Sequence, residues 1–219
     1  MIVEYLSVFL IVLNLILLSS SRLGVCIRAV TAQGIILGIL PLVEEWGNLH
    51  TSTIAVAIVT LLLKGGVFPY LLGSAAGRAG VKREIEPLVS YTLSLIVGVA
   101  MLIFSFWLQS RLPVRAGVST PLLLPAAFFS IMAGFFMTIA RRKALTQVLG
   151  YLALENGIYA FGASMLSGHP WLFELGILLD VFVAVFVMGI AVFHISREFS
   201  HTDAYQLSSL RDISEEGAS

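Results

Sequence analysis

Residues 52–73 read Ser52-Thr-Ile-Ala-Val-Ala-Ile-Val-Thr60-Leu-Leu-Leu-Lys64-Gly-Gly-Val-Phe-Pro69-Tyr-Leu-Leu-Gly73, an apolar run with a single charge. A bilayer core about 30 Å thick is crossed by about 20 mostly apolar residues in a helix, so this run predicts a spanning helix with Lys64 inside it. Comparable runs occupy 3–20, 23–43, 87–108, 120–140, 144–166 and 171–195. The expected architecture is an all-α integral membrane protein: seven transmembrane helices over 1–195 and a polar tail over 196–219. Of the 219 residues, 58% are hydrophobic and 12% charged, against about 25% charged in soluble domains. Seven spans leave no length for a separate catalytic domain.

Several function classes fall away on the same counts. Thirteen basic residues balance thirteen acidic ones, so no basic excess invites nucleic acid. The one cysteine, Cys26, completes neither a disulfide nor a zinc or iron–sulfur site. His50, His169, His194 and His201 show no i, i+4 pairing, and no phosphate-binding glycine loop or nucleophile elbow is present. No cofactor, metal or catalytic residue is therefore expected on this chain. The N-terminal run carries Glu4 instead of a basic lead and lacks an Ala-x-Ala site, so it reads as a retained first helix.

Basic residues orient the bundle, because Lys and Arg are retained on the cytoplasmic side. Arg22, Arg28, Arg78, Lys82, Arg83, Arg141, Arg142, Lys143, Arg197 and Arg211 fall at one end, while Arg111 and Arg115 fall at the other. The N-terminus is then outside and the C-terminus cytoplasmic. Trp46, Trp107 and Trp171 all land at the outer interface, as an aromatic belt would. The tail reads either as a short docking helix around Leu207 and Leu210 or as disordered chain.

Three charges lie deep in otherwise apolar helices: Lys64, Glu155 and Asp180. At about 1.5 Å per residue they sit about 18, 16 and 14 Å from the outer helix ends, near the midplane. A charge there costs about 2.5–3.5 kcal/mol on the insertion scale, and intramembrane ionisable groups face bundle interiors or wet cavities and mark ion paths. Gln147, Tyr151, Glu155 and Tyr159 recur every four residues with Asn156 beside them, a polar stripe able to hold water. Thr60 and Lys64 share a face of the third helix, and Pro69, lacking an N–H, predicts a kink or break there. Two readings stand: a proton pathway through Lys64, Glu155 and Asp180, or a static ion pair of Lys64 with Glu155 or Asp180 that ties helices together. Gly34 and Gly38 make one Gly-x-x-x-Gly, read as close packing within the chain before a dimer face.

The run Gln147-Val-Leu-Gly-Tyr-Leu-Ala-Leu-Glu-Asn-Gly-Ile-Tyr159, followed by Phe173-Glu-Leu-Gly-Ile-Leu-Leu-Asp180, resembles the E component of hydrogenase-4 and related formate-hydrogenlyase complexes. The resemblance extends to Leu63-Lys64 and Pro69 and to the tail around Asp203 to Asp212. That family looks like an extended K subunit of respiratory complex I, which implies K-like helices over 120–195, with Glu155 and Asp180 in the places of buried carboxylates. Asp180 stands where the K subunit generally has a second Glu, and its shorter reach favours a water bridge. The resemblance implies a non-catalytic subunit of an energy-converting oxidoreductase in a prokaryotic inner or plasma membrane, contributing to proton or sodium translocation. Its implied partners are antiporter-like membrane subunits and peripheral hydrogenase-like and iron–sulfur subunits, which would carry the nickel–iron and iron–sulfur centres. The other reading is a purely structural anchor or assembly subunit.

Overall fold

A computed structural model describes residues 1–47, 50–78, 89–112, 121–141 and 143–165. The expected seventh helix at 171–195, with Asp180, and the tail at 196–219 lie outside the described residues. Within them the chain is helical and has no strand: α1 (Ile2–Ser19), α2 (Leu23–Glu44), α3 (Thr51–Leu62), a π-helical turn (Leu63–Val67), α4 (Phe68–Arg78), α5 (Tyr91–Arg111), α6 (Leu123–Ala140) and α7 (Ala144–Met165). Among the described residues, five segments are long and apolar enough to cross a bilayer: Ile2–Ser19, Leu23–Val43, Thr53–Ser74, Tyr91–Arg111 and Leu123–Ala140. They make this a membrane protein. The sixth expected span exists as α7, but Gln147, Glu155 and Asn156 make it less apolar than the other five.

Local chemistry sets the ends. α2 stops where Gly47 takes φ +115°, a left-handed conformation that costs glycine nothing. The fourth expected helix begins later than 87, at Tyr91, because Ser90 Oγ accepts the Leu93 N–H at 3.3 Å and caps it. The kink expected near Lys64 takes the form of a π-helical turn: the Phe68 N–H bonds to Leu63 O, five residues back. Pro69 has no N–H for the Gly65 carbonyl and crowds it, and widening the turn ahead of the proline relieves the clash while the helix continues.

Cross-helix contacts fix the directions. Asn14 meets Gln33 and Leu17 meets Cys26, so α1 and α2 are antiparallel; Gly34 and Gly38 pack on Lys64 and Leu61, so α2 and the α3–α4 span are too. α5 runs against α6 through Ser105 with Met132 and Gln109 with Pro121. α6 and α7 form the most extensive pair, with Gly134, Gly150 and Gly157 on their seam. A Cβ on Gly134 would strike the Leu154 backbone, and one on Gly157 would stand 2.5 Å from Ile131 N. Without a hydrophobic drive between helices in lipid, this close backbone approach supplies the association.

The interior has three layers. One apolar cluster, including Leu17, Cys26, Val30, Phe68, Leu72, Met137 and Leu152, fills the half nearest Arg22, Arg28 and Arg141, the basic end. A second, including Val3, Leu10, Leu37, Leu40, Leu123 and Ala160, fills the half nearest Trp46 and Trp107, the tryptophan end. Trp46 is 82% exposed and Trp107 is also exposed; they share one end, as an aromatic belt requires. Between the two clusters lies a layer of buried polar side chains.

Candidate functional site

Lys64 and Glu155 meet in that middle layer. Lys64 Nζ donates to Glu155 Oε1 at 2.8 Å, with the lysine 4% and the glutamate 2% exposed. It also donates to Asn156 Oδ1 at 3.0 Å and lies 5.6 Å from the centre of the Tyr159 ring, a cation–π distance. The π-helical turn carries Lys64 to α7, and the bare face of α2 lets it through: a Cβ on Gly34 would overlap the Lys64 Cβ. The Gly34/Gly38 pair thus serves packing inside the chain.

From Asn156 a chain of hydrogen bonds crosses the bundle at one depth. Asn156 Nδ2 donates to Gln33 Oε1 at 3.3 Å, Gln33 Nε2 to Asn14 Oδ1 at 3.0 Å, and Asn14 Nδ2 to Ser130 Oγ at 2.6 Å. Ser130 Oγ ends the chain on the Ala126 carbonyl at 2.9 Å. Every link points the same way, donor toward α6 and oxygen toward the lysine, so the links polarise one another. Five helical segments contribute: α1, α2, the π-helical turn, α6 and α7.

The other expected residues divide. Thr60 is buried one turn before Lys64. Tyr159 joins the lysine, and Tyr151 is half-buried against the apolar cluster of the basic end. Gln147 turns away from the pair, donating to the Arg141 carbonyl at 3.0 Å. Asp180 lies outside the described residues. A cavity of about 10 Å³ adjoins the site, lined by Ile27, Val30, Thr31, Lys64, Phe68, Pro69, Leu72, Leu152 and Asn156. No group of three or more His, Cys, Asp or Glu able to hold a metal occurs among the described residues.

Two features escape a reading of the sequence. Asn14, Gln33 and Ser130 complete the polar layer; their signal is an isolated polar residue in each apolar helix, weaker than a charge. Arg141, counted among the orienting charges, is 1% exposed instead of lying at the surface. Its Nη2 donates to the Leu18 carbonyl at 3.0 Å, capping the last turn of α1, and its guanidinium lies 5.0 Å from the Tyr91 ring. Burial pulls its pKa below the ordinary arginine value, and the negative end of the α1 dipole offsets part of that cost. Arg28, by contrast, is exposed on the outside of α2, where a long side chain reaches the interface.

Comparison with known proteins gives two kinds of relative. The uncharacterized protein Rv0085 of Mycobacterium tuberculosis is 32% identical over 205 residues, covering 93% of each chain. Hydrogenase-4 component E of Escherichia coli K12 is 28% identical over 120 residues, 54% of this chain and 55% of that protein; the Shigella flexneri protein of that name matches equally. No family model and no solved structure matches the chain.

Proposed function

The chain belongs to the family of the mycobacterial protein Rv0085, and from that premise we propose that it is a non-catalytic membrane subunit of a hydrogenase-4-type, complex I-related energy-converting oxidoreductase. The partial likeness to hydrogenase-4 component E supports the assembly. The observation that carries the role is the Lys64–Glu155 pair, a 2.8 Å ion pair buried between the π-helical turn and α7. In this reading the chain spans the membrane seven times, N-terminus outside, with the K-like helices over 120–195 and Asp180 on the last span continuing the path.

Electrons move on nickel–iron and iron–sulfur centres of partner chains, and charge changes there bias the middle layer. Protonation passes between Glu155 and Lys64: when the carboxylate takes the lysine's proton, both become neutral and the cost of two buried charges disappears. Moving each proton across the membrane field is worth about 2.3 kcal/mol per 100 mV.

A second reading has the same bond in its favour: a buried ion pair is also a static tie between helices. Affinity purification in mild detergent tests the assembly. Antiporter-like, hydrogenase-like and iron–sulfur subunits are expected to co-purify, and a chain that purifies alone contradicts the proposal.

A further inference from the structure

The middle layer differs on its two sides. Toward the tryptophan end, Leu10, Leu37, Leu40, Leu123 and Ala160 form an apolar cluster with Tyr159 packed against it, and Thr60, one turn before Lys64, is buried on that side. Across the layer, the amide chain from Asn156 to Ser130 is saturated with hydrogen bonds of one direction. Amide N–H groups hold that order but do not relay protons without passing through the unfavourable imidic acid. The amide chain therefore offers the pair no way to exchange a proton.

The cavity offers one. It lies toward the basic end: Ile27, Val30 and Thr31 precede Gly34 on α2, Phe68 and Leu72 follow Lys64, and Leu152 precedes Glu155 on α7. Its volume of about 10 Å³ matches the roughly 10–15 Å³ that holds one water, which also needs two to four polar partners. Lys64, Asn156 and Thr31 line it. Thr31 Oγ1 spends its proton on the Ile27 carbonyl at 2.8 Å and so meets a water only as an acceptor.

We propose that this cavity is a water site held by Lys64, Asn156 and Thr31, and that the Lys64–Glu155 pair exchanges protons through it. The proposal rests on the proton-pathway reading. In the step, one N–H bond of Lys64 breaks as one O–H bond of the water forms, while another O–H bond of that water breaks and its proton passes to solvent water; the reverse step reloads the amine.

X-ray hydroxyl-radical footprinting of the intact complex in H₂¹⁸O tests it, since buried side chains are oxidised where a bound water stands beside them. Phe68, Leu72 and Leu152 are expected to take up ¹⁸O several-fold more than the equally buried Leu37, Leu40 and Leu123 at the tryptophan end. Thr31→Val is expected to lower the Phe68 signal. Uptake equally low on both sides, or greater at the tryptophan end, overturns the proposal, and the unmodified chain alone decides this if Thr31→Val does not assemble. Labelled Phe68 in a complex that pumps normally with Glu155→Gln would retire the relay and leave the water site standing.

Discussion

Lys64 and Glu155 are tolerable in a bilayer only together. Removing one partner of a buried pair costs about 3–5 kcal/mol, whereas replacing both by apolar residues of similar volume is often neutral. Lys64→Met and Glu155→Leu are each expected to lower the thermal midpoint in detergent markedly, and the double variant to recover much of the loss; equal losses in all three would mean the pair is not formed. Gln33→Leu leaves Asn14 Oδ1 and Asn156 Nδ2 without their partner, at about 1–3 kcal/mol for an orphaned buried group, and should be more damaging than Thr31→Val by the same measurement. The sequence shows Lys64 and Glu155 plainly because a charge amid apolar residues has few explanations. Which carboxylate Lys64 meets, and the recruitment of Asn14, Gln33 and Ser130, depend on helix rotation, which the near-uniform apolarity of α2 and α6 conceals.

Among the elements, the α6–α7 pair and the π-helical turn position the site. Gly134→Ala drives a methyl group into the Leu154 backbone, and overpacking of this kind costs about 1–3 kcal/mol or more. Gly73→Ala meets nothing within 4 Å and gains helix propensity. The first is expected to reduce the yield of assembled subunit on native gels and the second to leave it unchanged; equal yields would refute the seam. Pro69 announces a disturbance in the third span, but its form, a π-helical turn that aims Lys64 at α7, follows from how the chain relieves the clash with Gly65 and is not written in the composition. The six expected helices that fall within the described residues came through within a few residues, because apolar length in lipid admits almost no other structure.

At the scale of the molecule, the alternating helix directions and the shared end of Trp46 and Trp107 agree with the basic-residue asymmetry, although Arg141 serves as a buried cap of α1. In a Cys26→Ala chain, Trp46→Cys is expected to react with a membrane-impermeant maleimide added to intact cells, and Arg22→Cys only after permeabilisation; the opposite pattern would invert the topology. The central claim is that Glu155 titrates in the course of ion translocation, and Glu155→Gln keeps its size while removing its charge. Proton uptake by the reconstituted complex, measured beside its redox turnover, tests this most directly. The account predicts that the variant assembles and that pumping per turnover falls several-fold, and normal pumping by an assembled Glu155→Gln complex would contradict it.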